Sequence, residues 1–243
     1  MNKTLLSLFI CFLAVNASLL QAQEFKMGLK GGINKTFGGE IIGISSGLGY
    51  SGDTYKAEGE LGFHGGVWTQ INFGKFFVRP EIVYSKLEST FEFAQGPRLY
   101  EVEELSVPVL VGYNIFGPID IYGGVAYKYI VNSEINGRKP LFLPPGGFEP
   151  SIRPIENPSL PLSGQIGAKA EFGSFGLDIR YDHSLASREP QATDFISGGP
   201  DPANPTLNRA ILEDARLHQL IVSLTVKLFD TANKDRRRGR ACY

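Results

Sequence analysis

The chain has 243 residues, with 24 Lys and Arg against 25 Asp and Glu. That length admits one large domain or two small ones, and the balanced charge offers no basic surplus for binding nucleic acid. With 29 Gly, 17 Phe and 10 Tyr spread over many short apolar runs, the composition predicts β-structure rather than a helical bundle.

Residues 1–22 stand apart. A positive start, Met1-Asn2-Lys3, leads into the apolar run "TLLSLFICFLAVNASLL" and then "QAQ". This is the pattern of a secretory signal peptide, with cleavage expected after Ala22. Cys11 lies inside the apolar run, which argues against a lipoprotein signal, and the cleavage-like flank argues against a retained anchor. Beyond it, no run approaches the roughly 20 apolar residues that a spanning helix needs. The mature chain keeps only Cys242, so no internal disulfide is expected.

Eight strands are predicted, at about 25–35, 60–73, 75–87, 101–115, 118–131, 162–172, 174–185 and 216–229. Three segments within them align without a gap: "FGKFFVRPEIVYS" (73–85), "FGPIDIYGGVAYK" (116–128) and "FGSFGLDIRYDHS" (172–184). Each opens with a turn signal, at Phe73-Gly74, Phe116-Gly117 and Phe172-Gly173, which are expected on the periplasmic side. Each then alternates with period 2, so one face is apolar and the other charged. The other connections are long, at about 36–59, 88–100, 132–161 and 186–215. Every strand is long enough to cross a bilayer at a tilt, and strict alternation of short turns with long loops marks an outer-membrane barrel. The predicted fold is therefore all-β: an eight-stranded antiparallel up-and-down transmembrane β-barrel over 23–230, followed by a basic tail at 231–243 without regular structure.

A soluble eight-stranded barrel also alternates, but with its charges outside. The export signal, the unequal connections and two bands of aromatics favour the inverted, membrane arrangement. Phe25, Phe73, Phe76, Tyr113, Phe116, Phe172, Phe175 and Phe229 form one band, and Tyr84, Tyr127, Tyr129 and Tyr181 the other. The charged parity then faces the lumen. It holds the bases Lys26, Lys30, Arg79, Lys128, Lys169, Arg180 and Lys227 and the acids Glu81, Glu104, Asp120, Glu171, Asp178 and Asp182, with His64 among them. Seven bases against six acids in a narrow, low-dielectric space imply an ion-pair network with trapped water. Trp68 and Tyr122 share this parity, and their bulk in so narrow a barrel excludes an open diffusion pore.

"MGLKGGIN" (27–34), "GFHGGVWTQINFGKFFVRPEIVYS" (62–85), "LSVPVLVGYNI" (105–115) and "IYGGVAYKY" (121–129) resemble the PorT-like outer-membrane β-barrel domain. The resemblance covers about 25–229. It implies a Gram-negative outer-membrane barrel and admits a link to type IX secretion, with no catalytic signature to transfer. Many members end on an aromatic near the last strand, matched here by Phe229, whereas this chain continues with "DTANKDRRRGRACY".

Two loops invite a binding role. Residues 138–161 hold seven of the fifteen prolines and favour a stiff, polyproline-like extracellular arm. Residues 190–216 are similar, with "NRAILEDAR" expected to add a short helix or extend the last strand. The tail "KDRRRGR" should lie in the periplasm, as a solvated terminus or against anionic headgroups. For catalysis the candidates are Asp182-His183-Ser184, His64 and His218. Neighbouring residues on a strand face opposite ways, so His183 and Ser184 do not pair as base and nucleophile. No metal-ligand spacing is present, and no cofactor is expected. The sequence thus reads as a non-enzymatic, monomeric outer-membrane protein in contact with lipid, anchoring or binding an envelope partner through its extracellular loops. The alternatives, in order, are a component of type IX secretion, a narrow channel for very small solutes, and an outer-membrane lipid-modifying enzyme.

Overall fold

A computed structural model describes residues 24–45, 49–93, 96–135, 141–142, 151–152, 161–185, 190–193 and 209–231. The segment read as a signal peptide, the tail beyond Thr231 and most of the proline-rich stretch lie outside these residues. In chain order the strands are β1 (Glu24–Phe37), β2 (Glu40–Ser45), β3 (Gly49–Gly59), β4 (Leu61–Phe73), β5 (Phe76–Phe93), β6 (Gly96–Phe116) and β7 (Ile119–Ile135). They continue with β8 (Leu141–Phe142), β9 (Ser151–Ile152), β10 (Leu162–Phe172), β11 (Phe175–Ser184), β12 (Gln191–Thr193), β13 (Arg209–Asp214) and β14 (His218–Asp230).

Eight of these form a ring. The succession β4-β1-β14-β11-β10-β7-β6-β5 is antiparallel throughout, and β5 pairs back onto β4. Closure leaves no unpaired edge along the membrane-crossing wall, which hydrocarbon requires. At the periplasmic end, register pairs Phe73 with Phe76, Phe116 with Ile119 and Phe172 with Phe175, so each turn has two residues. The first turn residue is Gly74, Gly117 or Gly173, with φ of 66°, 53° and 64°. Hairpin turns that match strand twist need this left-handed geometry.

The lipid-facing residues are apolar and exposed, among them Leu29, Ile33, Val67, Ile82, Val109, Val125, Ile179 and Leu224. From Phe76 to Tyr84 the wall rises roughly 20 Å at about 3.3 Å per residue and the usual barrel tilt. Above that height the polarity of the wall reverses. Inward positions become Leu87, Phe91, Tyr100, Val102 and Ile135, buried with Ile41, Leu212, Ala215 and Leu217 in one apolar cluster. Outward positions become Lys86, Glu88, Glu101, Glu103 and Glu134. The reversal is the expected response to a change of solvent, from lipid to water, around one continuous wall.

Four sequence expectations are corrected. Residues 88–100 are not a loop, because β5 and β6 stay paired as far as Phe93 and Gly96. The stretches 36–59, 132–161 and 186–215 carry β2, β3, β8, β9, β12 and β13. β3 joins β5, and β2, β13, β12, β8 and β9 follow it in a second sheet. "NRAILEDAR" contributes β13, a strand beside β2, and neither a helix nor an extension of β14. The reason is tertiary: β13 and β2 lie far apart in sequence, and each supplies the other's ladder. Within 138–161, Leu141–Phe142 and Ser151–Ile152 pair as short strands, so the arm is not uniformly polyproline-like.

Candidate functional site

The interior of the membrane-spanning ring is the place where this chain concentrates polar chemistry. Alternation sends every second side chain inward, and the ring brings together side chains that are remote in sequence.

At the periplasmic mouth Lys227 Nζ lies 2.7 Å from Asp230 Oδ2. Next come Lys26, 3.3 Å from Glu171, and Lys169, which contacts Glu171 and lies 2.9 Å from Asp120. Lys169 Nζ also donates to Gln70 Oε1 at 3.0 Å and stands 4.7 Å from the Phe77 ring centroid.

The middle layer centres on Glu81, only 2% exposed. Arg180 meets it with two parallel hydrogen bonds of 3.0 Å, from Nη1 to Oε2 and from Nη2 to Oε1. Lys30 Nζ donates to Glu81 Oε2 at 3.0 Å, and Arg79 Nε lies 2.8 Å from Oε1. The Arg79 guanidinium stacks 4.4 Å from the Trp68 ring. Asp178 sits 3.4 Å from Arg180 Nη2 and accepts from the Tyr122 hydroxyl at 2.5 Å. His64 Nε2 lies 2.8 Å from Ser223 Oγ.

In the upper layer Lys128 pairs with Asp182 at 2.9 Å and Glu104 at 3.3 Å. Gln165 and Ser163 donate to Asp182, and Gln219 Nε2 donates to Glu104 at 3.0 Å. Between the middle and upper layers lies a cavity of about 10 Å³, lined by Lys30, His64, Glu104, Gln165, Arg180 and Gln219 among others. It has room for about one water.

Of the fourteen residues read from sequence as inward polar groups, ten are buried in these layers and Lys26, Lys128, Glu171 and Lys227 are half-buried. Strand order adds a feature that parity does not contain. In an eight-membered ring, strands four apart face each other across the axis. β5 and β11, β4 and β10, and β6 and β14 are such pairs. The bonds Lys169–Gln70, Arg180–Glu81 and Gln219–Glu104 each join one of them. The lumen is thus crossed from wall to wall at three successive levels.

The lumen aromatics are seated by glycine. Trp68 pairs in register with Gly28, Phe77 with Gly112 and Tyr122 with Gly167. A Cβ on any of these glycines would come within 2.8 Å of the facing ring or its hydroxyl. The aromatic covers the space a side chain would fill, a known way of stabilising a strand glycine.

Gln70, Gln165, Gln219 and Phe77 were missed by the sequence reading, although they share the inward parity; counting charges alone overlooked them. Asp230 was missed for another reason. A register shift at Met27/Gly28 leaves Leu228 as an extra residue in β14, so Lys26 pairs with Asp230 and the parity beyond it reverses. With Asp230 included, the inward acids rise from six to seven against the same seven bases.

The catalytic candidates do not converge. His64 lies in the lumen on Ser223, whereas His183 stacks on His218 at 4.3 Å outside the ring. Ser184 is buried on the opposite face from His183. Among the described residues, no group of three His, Cys, Asp or Glu is placed to hold a metal.

A closed antiparallel ring with an apolar outer band and a charged interior defines a transmembrane β-barrel of the outer-membrane type. The chain belongs to the outer membrane protein β-barrel domain family, whose sequence model matches residues 21–188. That membership places it in the Gram-negative outer membrane. No curated protein matches the sequence. Among solved structures the chain is similar to the outer membrane protein OprG from Pseudomonas aeruginosa, at 14% identity over 85% of this chain and 96% of that one, with a TM-score of 0.49. It is also similar to Ail, the attachment invasion locus protein of Yersinia pestis, at 11% identity over 84% and 99%, with a TM-score of 0.37. A third similarity is to Neisserial surface protein A, at 13% identity over 83% and 96%, again with a TM-score of 0.37.

Proposed function

We propose that this protein is a non-conducting, non-enzymatic outer-membrane anchor that meets an envelope partner through its extracellular wall. The observation that carries the reading is the lumen crossed at three levels by Lys169–Gln70, Arg180–Glu81 and Gln219–Glu104, beneath the apolar cluster around Phe91. A solute on the axis would have to displace buried, mutually neutralising charges and then pass an apolar constriction. Both steps carry large desolvation costs.

With the axis blocked, the outer surfaces remain. The extracellular wall is built from paired strands with an apolar core, so it presents a preorganised surface rather than an adaptable loop. The chain reaches this place by export on residues 1–22 and contacts lipid along its outer band.

The test is purification from native outer membranes in mild detergent, followed by mass spectrometry of what stays bound, with planar-bilayer conductance on the same preparation. A retained envelope protein and a silent bilayer are expected. Reproducible conductance steps would replace this reading with that of a narrow channel. A second reading follows from the PorT-like resemblance of 27–34, 62–85, 105–115 and 121–129: a component of type IX secretion. Deletion of the gene would then leave secreted cargo in the periplasm, and secretion proteins would dominate the eluate.

A further inference from the structure

We infer that the extracellular ends of β11 and β14 are fastened by a proton-sensitive histidine pair, His183 and His218. The regular β11–β14 ladder ends at Asp182 and Gln219. One step beyond it, above the Tyr181 girdle, the two imidazoles stack with centroids 4.3 Å apart and planes within 5°. The Ser184 backbone N–H donates to His218 Nδ1 at 3.0 Å. A side-chain nitrogen thus takes the place of the carbonyl that a further ladder rung would offer.

That bond requires an unprotonated Nδ1, so the neutral His218 ring carries its proton on Nε2. Protonation puts a second N–H against the Ser184 N–H. It also places a cation face to face with the stacked His183 ring. Acid therefore removes both contacts together.

The surroundings favour the neutral ring. From β11 it meets His183, itself 6.2 Å from the Tyr181 ring. From the link before β14 it meets Arg216, and from β13 Asp214, whose carboxylate is occupied by Arg216 at 2.8 and 2.6 Å. From β7 it feels Lys128, and on β1 its register partner is the uncharged Phe37. Burial, then His183 and Arg216, hold His218 below the ordinary imidazole value of 6.5. A base depressed on folding favours the folded arrangement above its unfolded value and loses that contribution as pH falls through it. The fastening is accordingly complete above about pH 6.5 and is lost progressively as pH falls from there through the lowered value of the folded state. Leu185 N–H donates to Leu162 O at 2.9 Å, independently of either imidazole, so release is confined to the β11–β14 seam.

The test is hydrogen exchange of the purified full-length protein in detergent micelles from pH 7.5 to 5, corrected for intrinsic rates. Peptides covering 183–185 are read against the lipid-embedded part of β5. Protection at Ser184 should fall about fivefold or more on acidification, the factor one lost hydrogen bond gives, while β5 stays unchanged. His218→Phe, which stacks but accepts no bond, should show the low protection at every pH. His183→Phe should keep the transition and move it to higher pH, because the neighbouring charge is gone. PH-independent protection in the wild type, an unaltered transition in His218→Phe, or loss of β5 protection in step would each overturn the inference.

Discussion

Single residues in this barrel are constrained by what lies one strand away. Glu81 compensates Lys30, Arg79 and Arg180 at once, all in a space without bulk water. Glu81→Gln leaves three buried cations with one carboxylate, Asp178, among them. Removing one partner of a buried pair typically costs about 3–5 kcal/mol, and this variant should lose that much by urea titration of the heat-modifiable gel band. A retained midpoint would mean that water reaches the cluster. Glycines give a second contrast. A Cβ on Gly66 would lie 2.2 Å from Ile82 O, whereas one on Gly31 meets nothing nearer than His64 O at 3.6 Å. Gly66→Ala should impair folding into the membrane. Gly31→Ala should be neutral or gain up to about 1 kcal/mol, since it removes only backbone freedom. Comparable folding yields for the two variants would contradict the close strand approach.

At the level of elements, β5 and β6 each run through two environments. Their lower parts carry Arg79, Glu81, Glu104 and Ser106 inward, and their upper parts Leu87, Phe91, Tyr100 and Val102. No bulge is needed on β5, because the residue types change while the parity holds. On β7 the geometry does change: Glu103 pairs with Asn132 and Glu104 with Ile130, so Val131 bulges and the inward set passes to Ser133 and Ile135. Phe91 is wholly buried in the upper cluster and lies 6.1 Å from the Tyr100 ring. Phe91→Ala should cost about 3–5 kcal/mol, confined to the extracellular wall. Hydrogen exchange should then show lost protection in 86–103 with the membrane part of β5 intact. Loss in both regions would mean that the two parts fold as one unit.

For the whole molecule, the proposed non-conducting role makes the lumen a set of redundant barriers. The three crossings sit at different levels, with the apolar cluster around Phe91 packed above them on the extracellular side. Glu81→Ser with Arg180→Ser removes only the middle crossing. Where this variant folds, planar bilayers should remain silent, as with the wild type. Steady conductance from it would place the whole barrier in the Glu81 cluster and reduce the other levels to lining.

The membrane-spanning strands of this fold were legible from alternation, and the export signal, the unequal connections and the aromatic bands told which solvent each face meets. A strand's two faces see different surroundings, so residues as local as "FVRPEIVYS" separate an apolar face from a charged one, and the Phe-Gly pairs mark where the chain turns back. That information is local, and so were its failures. Leu228 and Val131 each shift a register by one residue, which no count along a single strand reveals. β2 and β13 look like loop until they are seen pairing Ile42 with Ile211, because a ladder requires a partner that lies elsewhere in the chain. The crossings at Gln70, Glu81 and Glu104 follow from the number and stagger of strands in the ring, which set who faces whom across the axis. Sequence by itself therefore determined the solvent of each face, through the export signal, the unequal connections and the aromatic bands as well as alternation, whereas only the closed tertiary structure decided which charges meet across the lumen, because strand order and stagger set the partners.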